Sequence, residues 1–161
     1  MKQGFKFFYS FFSVMLTAYI CSLFTDIGIK QWYNGIEKPF LTPPNYVFPI
    51  AWSILYVLIA VSTFIVLRDA DSFNRKKVNN IFIIQLFLQI LWCFVFFAQG
   101  HLALGLGVII LLDISVFAMI QIYSKVNKTA SYMLYPYYWW LLFASFMNFN
   151  FVYNFGLIMV F

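Results

Sequence analysis

The stretch WYNGIEKPFLTPPNYVFPIAWSILY, residues 32–56, decides the reading of this chain. It starts as a connector dense in proline and aromatic residues and ends inside a charge-free apolar run, Val47 to Leu67. A connector without a task is usually polar and featureless. Pro39, Pro43 and Pro44 stiffen this one before the apolar run begins, because proline fixes its own φ and restricts the residue before it. Such a segment suits a shaped lid better than a tether.

The apolar run after the lid is one of five. A helix needs about 20 apolar residues to cross the hydrocarbon of a bilayer. Phe5–Phe24, Val47–Leu67, Val78–Ala98, Leu102–Tyr123 and a stretch from about Thr129 to Phe155 all meet that length. The 161 residues are 64% hydrophobic, 24% aromatic and 9% charged, whereas a soluble domain is nearer half apolar and a quarter charged. The expected solvent is lipid. Strands are excluded, since an open sheet in lipid leaves backbone groups unpaired. The expected architecture is an all-α membrane protein, a single five-transmembrane-helix bundle over residues 1–161. The break between the third and fourth spans is only Gln99 to His101, which makes those helices antiparallel neighbours.

The net charge of +5 does not point to nucleic acid, because the bases flank the apolar spans. Lys2, Lys6, Arg68, Arg75, Lys76, Lys77, Lys125 and Lys128 fall on one side, and only Lys30 and Lys38 on the other. The positive-inside rule then predicts an N-terminus inside, a C-terminus outside and an outward-facing lid. No signal peptide with a polar mature domain behind it is read. Arg68 to Lys77 reads as a solvated turn.

Several side chains share helical faces. Pro49 stands one turn into the second span, and Trp52 and Tyr56 follow at i and i+4. Gln85, Gln89 and Trp92 share a face of the third span. In the fifth, Trp140, Ala144 and Asn148 form one stripe, with Trp139 turned toward lipid. An amide in lipid needs a partner, so Asn148 should face the interior. By spacing alone, Trp52 belongs to an interfacial aromatic belt or to core packing, and Asn148 to interhelical bonding or to a ligand. Asp113 is the one acid inside a span, a costly position, expected either to be protonated or to bond to Gln, Ser or Tyr of a neighbouring helix. Ala103 and Gly107 make a small-xxx-small step on the fourth span, flanked by Gly100 and Gly105; it serves packing within one bundle or pairing of two.

The pattern W-Y-x-x-x-x-K-P-x-x-x-P-P, then F-P-x-x-W-x-x-L-Y, with P-Y-x-x-W-x-x-x-A-x-x-x-N at residues 136–148, resembles the TspO/translocator protein family of tryptophan-rich sensory membrane proteins. The chain departs from the family pattern at Leu41, where a second lid Trp is usual, and at Gln89, where Asn is more frequent. The resemblance implies a pocket for a porphyrin or another flat hydrophobic molecule. Its lining would come from Trp32, Tyr33, Lys38, Pro43, Pro44 and Phe48 in the lid, Trp52 and Tyr56 in the second span, Gln89 and Trp92 in the third, and Tyr137, Trp140, Ala144 and Asn148 in the fifth. It implies a tetrapyrrole sensor or carrier, with light-dependent porphyrin breakdown beside Trp52 and Trp140 as a further activity, and a homodimer. A transporter or binder of other small hydrophobic ligands such as sterols, or a membrane scaffold without catalysis, are the alternatives. The sterol reading is lowered, because Tyr153 has no base after it in the tail Phe151–Phe161. A bacterial plasma membrane is the expected location.

Other chemistry is not encoded. Cys21 and Cys93 sit inside apolar runs and read as small core hydrophobes rather than a disulfide or metal site. His101, the single histidine, lies in the short turn, where a surface cap is expected. There is no P-loop, Ser-His-Asp set or His/Cys cluster, so no metal or resident cofactor is expected.

Overall fold

The computed structural model describes residues 3–38 and 42–156. Pro39, Phe40 and Leu41, including the position of the family's second Trp, lie outside the described residues, as do Lys2 and the tail from residue 157. Six α-helices are found and, among the described residues, no strand: α1 Gln3–Gln31, α2 Val47–Asp69, α3 Ser72–Cys93, α4 Leu102–Ser124, α5 Lys128–Tyr132 and α6 Tyr135–Phe155.

The boundaries follow local chemistry. The Asp71 side chain caps α3 by accepting from the Asn74 amide at 2.7 Å, and Asn127 caps α5 through the Ala130 amide at 3.0 Å. The segment read as a solvated turn from Arg68 to Lys77 is mostly helical; Ala70 and Asp71 alone separate α2 from α3. The fifth span, expected to be continuous from about Thr129, is split instead. Helix α5 ends at Tyr132, and α6 begins at Tyr135 with Pro136 in its first turn, where proline is tolerated because its missing N–H has no helical partner anyway. Gly100 takes φ 61° in the turn before α4, a left-handed value that costs glycine nothing. His101 occupies the N-cap of α4, but its side chain makes no capping bond.

Helix α1 is longer than expected and passes into a 3-10 turn at Tyr33–Gly35. Trp32 and Tyr33 are therefore not loose lid residues: they are 4% and 6% exposed. At its far end α3 widens into a π-turn, Phe94–Ala98. Helix ends and such turns leave carbonyls unpaired. The Trp32 indole N–H donates to the Phe97 carbonyl at 2.9 Å, which ties the start of the lid to the end of α3.

The five long helices close into a ring in the order α1, α2, α6, α4, α3. Cys21 meets Gln89, and Gln85 and Trp92 meet Tyr137 and Asn148, so α1, α3 and α6 run parallel. Phe7 on Phe64 and Ser145 on Asp113 set α2 and α4 antiparallel to them. Helices α3 and α4 are packed neighbours, as the tight turn requires. Four of the helices are long and apolar enough to cross a membrane: α1 with its 3-10 turn, α2, α3 with its π-turn, and α4. The expected fifth, α6, is slightly shorter, with 21 residues, and is dense in Tyr, Trp and Asn rather than aliphatic side chains. Phe8, Tyr19, Phe73, Trp139 and Tyr153 all face outward, as lipid allows and water does not.

Two core clusters fill the ring. One, toward the basic end, gathers residues such as Val66, Phe82, Tyr123 and Leu134. The other, under the lid, holds Trp32, Trp92, Phe96, Leu102 and Phe151. Trp52 packs against both. Polar side chains inside are bonded across helices: Ser62 Oγ to the Ala130 carbonyl at 2.7 Å and Thr63 with Tyr123 at 3.0 Å. Lipid offers such groups no other partner.

Candidate functional site

Under the lid lies a cavity of about 300 Å³. Helix α2 contributes Phe48, Trp52 and Tyr56, and α3 contributes Gln89, Trp92 and Cys93, with Phe97 beyond it. The i, i+4 spacing in α2 sets the Trp52 and Tyr56 rings stacked with centroids 5.4 Å apart. Trp92 is tilted against Trp52 at 6.5 Å. Tyr33 and Asn45 close the cavity from the lid side. Lys38 donates to Asn45 Oδ1 at 2.8 Å and lies 5.0 Å over the Tyr33 ring, while Asn45 donates to Asn34 at 3.2 Å. The lid is thus laced to itself at the cavity mouth.

The third wall was not read from the sequence. Ala18, Cys21, Ser22, Thr25, Asp26 and Ile29 of α1 all line the cavity. Their spacing is that of one helix face, and small or polar residues recur on it. That stripe was the available signal. The two cysteines are buried and have no disulfide. They are wall residues as well as core: Cys21 Sγ donates to the Gln89 carbonyl at 3.8 Å, and Gln89 Nε2 donates to Cys93 Sγ at 3.9 Å.

The remaining sequence-selected residues stand behind this wall. Trp32 is held by Phe97, as described. Pro43 and Pro44 lie in the lid, and the Pro44 carbonyl accepts from the Val47 amide at 2.9 Å at the start of α2. Tyr137 is fully buried, its hydroxyl 3.1 Å from the Oε1 atoms of both Gln85 and Gln89. Trp140 does not line the cavity; it meets Trp52 edge-on at 6.5 Å and Phe48 at 6.1 Å. Ala144 packs beside the cluster under the lid. Asn148 accepts from Trp92 Nε1 at 3.2 Å and donates to the Leu102 carbonyl at 3.0 Å, so both ends of its amide are used between helices. Trp139 is 65% exposed on the outer face.

Two other features are settled by position. Asp113 accepts from Ser145 Oγ at 2.6 Å, while its Oδ1 is buried without a partner. Gly105 faces inward, where an added Cβ would lie 3.1 Å from Phe96. Gly107 faces outward with nothing within 4 Å of such a Cβ, so Gly105 is not part of the outer small-residue step. No group of three or more metal-ligating side chains occurs among the described residues.

Fold and site together define an integral membrane protein, all-helical, with an aromatic-walled cavity at one end of the bundle. The sequence model of the TspO/MBR family matches residues 10–154, and the chain belongs to that family. It is 40% identical to the tryptophan-rich protein TspO of Archaeoglobus fulgidus, over 87% of this chain and 90% of that one. It is 33% identical to protein CrtK of Rhodobacter capsulatus, over 86% and 89%. Identity to the translocator protein of Homo sapiens is 28%, over 83% and 80%.

Proposed function

We propose that the chain binds a tetrapyrrole, protoporphyrin above all, in the cavity beneath the lid and acts as a sensor or carrier of it. The supporting observation is the wall itself: Trp52, Tyr56, Trp92, Tyr33, Phe48 and Phe97 converge on one apolar space. Flat conjugated ligands gain both area burial and ring contacts from such walls. A volume of about 300 Å³ is at the small end for ligand sites, so the macrocycle enters edge-first and keeps its carboxylates at the mouth. Lys38 and Lys30 are the bases near that mouth; Lys30 already pairs with Asp26 at 2.6 Å. In this reading α6 is the fifth spanning helix, and the basic end lies in the cytoplasm.

Light-dependent breakdown of the bound porphyrin is the second reading. The position of Trp52 favours it, since its indole is in the cavity wall and in ring contact with Trp92, Tyr137 and Trp140. Trp140 then acts behind Trp52 rather than on the ligand. Pairing of two copies along Ala103 and Gly107 belongs to the same proposal, on the openness of Gly107.

Visible absorption of the purified protein titrated with protoporphyrin, in the dark and under light, separates these readings. A shifted, saturable Soret band in the dark supports binding. Its light-dependent decay, faster than that of free porphyrin, adds breakdown. An unshifted band defeats both and leaves a scaffold.

A further inference from the structure

A second cavity, of about 450 Å³, opens at the basic end of the bundle between α1 and the start of α3, remote from the aromatic one. Phe5, Tyr9 and Leu67 give it apolar surface, Arg75 and Lys76 give it two positive charges, and Ser72 and Asn79 complete it. Among the described residues no carboxylate lines it. The nearby acids are committed elsewhere: Asp69 to Arg68 and Asn127, Asp71 to Asn74. Arg75 is held in place by donation from Nη2 to the Ala70 carbonyl at 2.9 Å. Its Nε is buried and has no partner, a costly state for a charged donor. Tyr9 donates to Asn79 Oδ1 at 2.6 Å, which joins the α1 wall to the α3 wall.

We propose that this cavity binds the phosphate group of an anionic phospholipid from the leaflet at the basic end. A guanidinium presents a planar fork of donors that matches phosphate oxygens, and an ammonium beside it adds a second charge. The Arg75 Nη1 end, which is neither buried nor bonded among the described residues, and the Lys76 ammonium are the donors. The apolar residues favour a lipid over a free anion: Phe5 lines the cavity and is also exposed on the outer surface, where an acyl chain runs down the bundle. Basic pockets between spanning helices are a recurrent means of holding acidic headgroups.

The test uses the full chain in nanodiscs of phosphatidylcholine with or without phosphatidylglycerol, with retained lipid read by native mass spectrometry. Phosphatidylglycerol retention should fall on the order of tenfold in the Arg75→Gln/Lys76→Gln variant. It should be unchanged in Lys125→Gln/Lys128→Gln, which removes two bases from the same end outside the cavity. Arg75→Gln also removes the bond to Ala70, so Lys76→Gln alone is the variant that leaves the fold untouched; its side chain makes no hydrogen bond among the described residues, and it should lose several-fold. Equal retention by the wild-type and double variants overturns the site. Equal loss in the Lys125/Lys128 control reduces it to general surface charge and overturns it too. Displacement of the lipid by millimolar inorganic phosphate shows a free-anion site and overturns the lipid as occupant.

Discussion

Gly28 of α1 and Phe97 at the end of α3 touch backbone to backbone. A Cβ on Gly28 would lie 2.6 Å from the Phe97 carbonyl oxygen and 2.9 Å from its carbon, closer than any side chain tolerates. One turn on, Trp32 donates to that same carbonyl. A single close approach therefore seats the lid. Gly28→Ala should destabilise the bundle by about 1–3 kcal/mol through overpacking. Gly107→Ala, which meets nothing within 4 Å, should be neutral or stabilising by up to about 1 kcal/mol from helix propensity. Thermal unfolding in detergent compares the pair.

The Trp52→Ala variant should lose porphyrin affinity by about tenfold or more, since ring contact and buried area go together. Trp140→Ala should lose less, because the indole stands behind Trp52 and outside the cavity wall. Trp139→Ala should bind like the wild type. Fluorescence or Soret titration of all three orders them. The reverse order, with Trp139 the most damaging, would show that the ligand binds on the outer face.

Removing the Tyr137 hydroxyl in Tyr137→Phe deprives the Gln85 and Gln89 amide oxygens of their shared donor. In a membrane interior such a bond contributes about 0.6–2 kcal/mol. The free energy of unfolding should drop by that amount, read as a lower unfolding midpoint. Ligand affinity should drop as well, because Gln89 lines the cavity and loses its orientation; an unchanged affinity would place the ligand away from Gln89.

At Asp113, the change to Asn keeps an acceptor for Ser145 and removes the acid from the span. Stability should be unchanged or raised by about 1 kcal/mol, since an intramembrane carboxyl is costly. Asp113→Leu should do worse than Asn by leaving Ser145 unbonded. A strong loss in Asp113→Asn with folding intact would assign the acid a functional role.

Orientation is read with reporters. The eight-to-two split of bases predicts that a C-terminal fusion is active only when the reporter works outside the cytoplasm. Activity of a cytoplasm-dependent reporter at that end would reverse the bundle.

The sequence by itself determined the solvent, the long helices and much of one wall of the site. Apolar length is a local property, and an i, i+4 pair such as Trp52 and Tyr56 shares a face whatever surrounds it. The proline-aromatic run likewise announced a lid over the second span. Only the tertiary structure decided what lies opposite. The α1 face from Ala18 to Ile29 became a cavity wall because Gly28 lets α1 rest on Phe97, a contact 69 residues apart in the chain. Trp140 went behind Trp52 rather than beside it, in edge contact with it and with Phe48, since the neighbours a ring meets on another helix are set by packing. Asn148 fell to Trp92 and Leu102 because an amide in a dry interior takes the nearest complementary groups, and which groups are nearest is a property of packing, not of spacing.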